Sequence, residues 1–186
     1  MTKSEFKKNF EDAQPPKMLM ELFEAQDKWN NFFSGGFEFI DSGPRTAAAL
    51  FRGDREAVKQ FVLFAEEADG SVFGFWLYDG RTLENAPIVR LDADGGGTVL
   101  ANSLQDFFAL LAVGCNDLGA SYLEEGDPPS EYLPQYRQWL KKKYGIVAPE
   151  DPQALIDQAE EAHPSLSRNS KRDGSGSVSA PGLRTI

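Results

Sequence analysis

Apolar positions recur at three- and four-residue spacings in "KMLMELFEAQDKWNNFF", where Leu19, Leu22, Phe23, Trp29, Phe32 and Phe33 form one stripe before Gly35 and Gly36. The pattern predicts one helix lying on a core and stopped by the paired glycines. "GFEFI" then alternates as a short strand, and residues 45–50 read as a second helix whose continuation through Val58 is interrupted at Gly53 and Asp54. In "QFVLFAEEADGSVFGFWLYDG" two apolar runs flank "EEADGS", with Asp-Gly as the turn dipeptide. The second run sets Phe73, Phe75 and Leu77 against Val72, Gly74, Trp76 and Tyr78, so both faces are apolar. That predicts a central strand with Trp76 in the core.

"APIVRLDA" and "GTVLA" supply two more strands around a triple glycine. "NSLQDFFALLAVG" reads as a helix capped by Asn102 or Ser103, with Gln105 or Asp106 able to close a capping box and Gly114 as its end. Tyr132, Leu133, Tyr136, Trp139 and Leu140 mark a further helix stopped by Gly145, and "DPQALIDQAEEAH" a shorter one capped by Asp151. The expected fold is therefore α+β: a single domain over residues 15–162 with an antiparallel or mixed sheet flanked by helices. A polar N-terminal arm (1–14) precedes it, and a disordered Ser/Gly/Arg-rich tail (163–186) follows.

Charge narrows the function. The 186 residues carry a formal net charge of −10, which argues against nucleic acid as a partner, because phosphate recognition rests on Lys and Arg. Residues from Pro164 onward hold Arg168, Lys171, Arg172 and Arg184 against Asp173, leaving the rest at −13. No run approaches the roughly 18 apolar residues of a membrane span, and no signal-peptide pattern opens the chain, so a cytoplasmic protein without membrane contact is expected.

The segment "LDADGGGTVLANS" invites three chemical readings. A calcium loop starting at Asp92 would place Gly96 at position 5 and Ser103 at position 12, where carboxylates are required. A phosphate cradle needs glycines feeding a helix directly, and here the strand "TVLA" intervenes. A hairpin turn remains. Asp92 and Asp94 on one strand face would lie about 7 Å apart, within reach of carboxylate hydrolysis, yet a wet turn does not raise an acid's pKa.

The single His163, at the edge of the tail, and the single Cys115, after "LLAVG", offer no zinc set and a poorly anchored nucleophile pair. No metal, cofactor or catalytic residue is expected. Glu66, Glu67, Asp69, Asp79, Asp92 and Asp94 cluster at turns, and in a meander alternate turns fall on one edge of the sheet, which makes an acidic rim the candidate partner-binding surface. Charge reversal at Glu66, Glu67, Asp69, Asp92 or Asp94 is expected to slow association with a basic partner and leave the melting temperature nearly unchanged.

From Gln60 to Gly114 the order of strands, turn and helix resembles the SUKH superfamily, which includes SMI/KNR-type domains. The matching positions are Phe61, Phe64, Ala65, Gly70, Phe73, Pro87, Ile88, Val89, Ala101, Ser103, Leu104, Phe107 and Leu111. The stretch "DKWNNFFSGGFEFI" stands where the family has a different opening motif. The resemblance implies an α+β domain without catalytic residues, in bacteria commonly an immunity protein that neutralises a cognate toxin, often a basic nuclease. A regulatory or scaffold role for the same fold, or a hydrolase built on Asp92 and Asp94, are the rival expectations.

Overall fold

The computed structural model describes residues 1–29, 33–93, 96–114 and 130–163. Within them the alternating segments form a five-stranded antiparallel sheet in chain order: β1 (Glu38–Phe39), β2 (Phe61–Glu66), β3 (Val72–Trp76), β4 (Ile88–Leu91) and β5 (Gly97–Ala101). The fold is α+β, with seven helices among the described residues, and β3 is central as its two apolar faces predict.

Each face of the sheet carries its own core. Phe64, Phe73, Phe75, Ile88 and Leu100 face the larger one, with α1 (Lys3–Lys7), α2 (Lys17–Gln26), α5 (Leu104–Leu111) and α6 (Leu133–Tyr144) contributing. Leu63, Val72, Trp76, Val89 and Val99 face the smaller one, covered by α3 (Gly43–Leu50), α4 (Arg55–Val58) and α7 (Pro152–Ala162). Trp76 is buried there as expected. Two breaks in register let neighbouring residues share a face. Leu63 pairs Gly74 but Ala65 pairs Phe73, so Phe64 is the extra residue, and Leu100 is its counterpart opposite the Ile88/Val89 step. In each case the extra residue and its successor both enter the larger core.

Gly74 is required by this geometry. A Cβ there would sit 2.6 Å from Leu63 Cδ2 and 2.9 Å from the Val62 carbonyl oxygen, in space the β2 side chain occupies.

Three expectations need correction. The first long helix stops at Gln26 and gives way to a 3-10 turn over Asp27–Trp29, well ahead of Gly35 and Gly36, so the buried Trp29 and Phe33 do not belong to one straight helical stripe; Phe32 lies outside the described residues. Residues 1–14 are not an arm outside the domain. Thr2 caps α1 through a reciprocal box with Glu5, and Phe6 stacks on Phe23 at 4.4 Å while Phe10 meets Phe75 edge-on at 6.5 Å. Buried Asn9 ties this segment down, donating to the Ile40 carbonyl at 2.5 Å and accepting from Gly43 N–H at 3.0 Å. The third correction is His163, assigned to the tail but buried against the sheet; residues 164–186 lie outside the described residues.

Ser103 caps α5 by accepting from Asp106 N–H at 3.2 Å, and its hydroxyl donates to the Asp106 carboxylate at 2.8 Å. Gly145, at φ 72°, ends α6, and Asp151 caps α7. The Ser103 and Asp151 caps and the Gly145 stop are therefore in place, whereas α5 ends at Leu111, before Gly114. No helix among the described residues is long and apolar enough to cross a membrane.

Candidate functional site: an arginine inside an acidic turn cluster

The β2–β3 and β4–β5 turns lie at the same end of the sheet, as a meander dictates, and they bring Glu67, Asp69 and Asp92 together. What joins them is Arg90, the β4 residue paired with Phe73. Its Nε donates to Glu67 at 2.8 Å, its Nη2 to Asp69 at 2.7 Å and its Nη1 to Asp92. The guanidinium fork presents donors in three directions, and each direction meets a carboxylate.

Local backbone sets these positions. Glu67 N–H donates to the Ser71 carbonyl at 2.8 Å and Gly70 N–H to the Glu67 carbonyl at 3.0 Å, closing a turn in which Gly70 adopts φ 85°. Asp69 then accepts from Ser71 N–H at 2.8 Å and from the Ser71 hydroxyl at 2.9 Å. Asp92 N–H donates to the Gly96 carbonyl at 3.0 Å, extending the antiparallel β4–β5 pairing beyond Leu91 and Gly97. A Cβ on Gly96 would stand 2.4 Å from the Asp92 carboxylate. Glycine is what lets that carboxylate lie against the turn.

Burial is graded outward. The side chain of Arg90 is 8% exposed and that of Glu67 4%, whereas Asp92 is 29% and Asp69 53% exposed. The cation is inside, and two carboxylates of the three face solvent. Partial burial pushes the Asp69 carboxyl up, but the two Ser71 donors and Arg90 together outweigh it and hold the group below the usual aspartate range. Such a group accepts hydrogen bonds at neutral pH and does not act as a proton donor.

The other candidate residues fall elsewhere. Glu66 ends β2 directly opposite Glu38 of β1, and its pairing with Val72 puts these two like charges on the face of the smaller core, opposite the face that carries Arg90. Asp79 is at the opposite end of the sheet, because the β3–β4 connection must be there in a meander. It occupies the first inner position of a turn whose inner residues both have positive φ, 53° for Asp79 and 72° for Gly80, closed by Arg81 N–H donating to the Tyr78 carbonyl at 3.2 Å. Asp79 is therefore a turn residue apart from the rim. Asp94 and Cys115 lie outside the described residues.

The expected thermal neutrality of charge reversal does not hold for Glu67, which is buried against Arg90, and a cation there would face a cation. Arg90 itself was missed. Its signal is present in "APIVRLDA": an arginine between Val89 and Leu91 in an apolar strand needs buried counter-charges. A second overlooked signal is charge spacing. Between Lys59 and Arg137 only Arg81 and Arg90 are basic, against 13 acidic residues. Among the described residues, no group of three or more His, Cys, Asp and Glu side chains is arranged to hold a metal ion. No protein-family model matches the chain, and no curated protein or solved structure matches it.

Proposed function

We propose that this chain is a non-catalytic protein-binding domain that masks a basic partner, in the manner of the SUKH immunity proteins its sequence resembles. The observation that carries the reading is the graded burial around Arg90. A buried guanidinium fixes the positions of three carboxylates and neutralises one charge, leaving two negative charges at the turn end of the sheet. Acceptors already held in place lose little conformational entropy when lysine or arginine side chains of a partner arrive. Their field also speeds encounter with a basic surface. A toxin domain with nuclease character fits this chemistry.

The test starts from a basic effector domain recovered with tagged full-length protein at low salt. Its complex is then titrated at low and moderate salt, with wild type and with Asp69→Asn/Asp92→Asn, which removes the two more exposed charges of the cluster and leaves Glu67 on Arg90. Expected are affinity that falls with salt, a further loss of at least about tenfold in the double variant, and a melting temperature only slightly lowered. Salt-independent binding, or equal affinity in the variant, removes the rim from the interface.

A further inference from the structure

The opposite end of the sheet carries a second polar network that the binding reading does not use. His163, one residue past α7, is 6% exposed and has both ring nitrogens engaged. Nε2 lies 3.0 Å from Asn102 Oδ1, an acceptor, so Nε2 carries the proton and Nδ1 presents its lone pair. Tyr78 O–H donates to that lone pair, and the Tyr78 oxygen accepts from Arg81 Nη2 at 2.9 Å. Arg81 also lies over the Tyr78 ring at 4.6 Å and makes no ion pair among the described residues.

The network fixes one helix. Within α7, Ile156 belongs to the larger core and Ala159 to the smaller, and the helix packs along β5, which pairs only with β4 among the described residues. It covers the edge strand of the sheet, one of the ways a fold protects unpaired backbone groups.

We infer that α7 is a pH-released cover of the β5 edge, latched by neutral His163. Protonation would turn Nδ1 into a donor facing an oxygen that already accepts from Arg81. Two cations would then share that oxygen, and the Tyr78 proton would lose its acceptor. The ionisable groups on the elements meeting here are Tyr78, Asp79, Arg81 and Glu84 in the β3–β4 connection, Asp106 in the first turn of α5, and Asp157, Glu160 and Glu161 on α7. Burial first, and Arg81 second, push the imidazole below its ordinary value. The sign follows. A depressed histidine supports docking fully above about pH 6.5, and the support is lost as pH falls through the native value.

The chain's single histidine makes the test direct, because one imidazole resonance titrates in the NMR spectrum of the full-length protein. Amide hydrogen exchange, corrected for intrinsic rates, is compared near neutrality and after acidification past that titration. Expected is a loss of protection of about tenfold or more in α7 and β5 while β3 stays protected. His163→Gln, which keeps a donor for Asn102 but cannot titrate, is expected to abolish the pH dependence. Tyr78→Phe, which removes the Nδ1 donor, is expected to move imidazole titration and release together to higher pH, and serves if the glutamine variant does not fold. Protection that survives imidazole titration, falls equally in β3, or falls equally in His163→Gln overturns the inference.

Discussion

Replacing Arg90 by methionine tests the cluster most directly, because it keeps much of the apolar stem and removes the charge. The consequence is dominated by Glu67, whose side chain is 4% exposed and would become a buried carboxylate without its cation. Breaking such a pair costs about 3–5 kcal/mol. Asp69 and Asp92 are better solvated and add under about 1 kcal/mol each. For a chain of this size the loss corresponds to a melting temperature lower by about 10 °C. The informative comparison is Arg90→Met/Glu67→Leu, which replaces the buried pair by apolar volume and is expected to recover most of the loss. Urea unfolding of wild type, both single variants and the double variant gives the coupling energy. An Arg90→Met protein within about 1 kcal/mol of wild type, or a double variant no more stable than the sum of the singles, would refute the assignment of Glu67 as the buried counter-charge.

Three further outcomes are expected. Phe6→Ala empties a site between Phe23 and Phe39 and should cost about 3–5 kcal/mol in chemical unfolding, whereas a residue in an outlying arm would cost almost nothing. Asp79→Ala, at φ 53°, should destabilise by about 1 kcal/mol and Asp79→Gly should not, with partner affinity unchanged in both. Tyr144→Phe removes the hydroxyl that donates to Glu21 and chiefly holds that carboxyl low, with Lys143 contributing. A depressed carboxyl contributes stability above its unfolded value that disappears as pH falls through the native one, so the variant's NMR titration of Glu21 should move up and its acid-limb stability loss should shrink.

Period-2 alternation and turn dipeptides were enough to place β2 to β5, since burial on two faces leaves little choice of register. The register breaks at Phe64 and Leu100 were not legible, because an extra residue in an apolar run changes no local preference. Phe6 and Phe10 were hidden by charged neighbours. Short helices whose apolar residues are four apart look polar by composition and still bury a full aromatic face. The acidic residues were legible as a group, but their arrangement was not. Glu67, Asp69 and Asp92 meet through a cation on a third segment, while Asp79 is sent to the other end by strand direction. His163 is bound by Tyr78 and Asn102, 85 and 61 positions earlier, a separation no local pattern encodes.

A sheet whose spatial order is its chain order also sets a folding route. The β2–β3 and β4–β5 pairings close across short turns, so little chain entropy is lost before each is rewarded, whereas Phe6 must find Phe39 and α7 must find β5 across longer stretches of chain. Variants in β2, β3 and β4 should therefore slow refolding, and variants in α1 and α7 should chiefly quicken unfolding. The lifetime of the native state is then set at the two ends of the described chain, and its speed of formation in the middle.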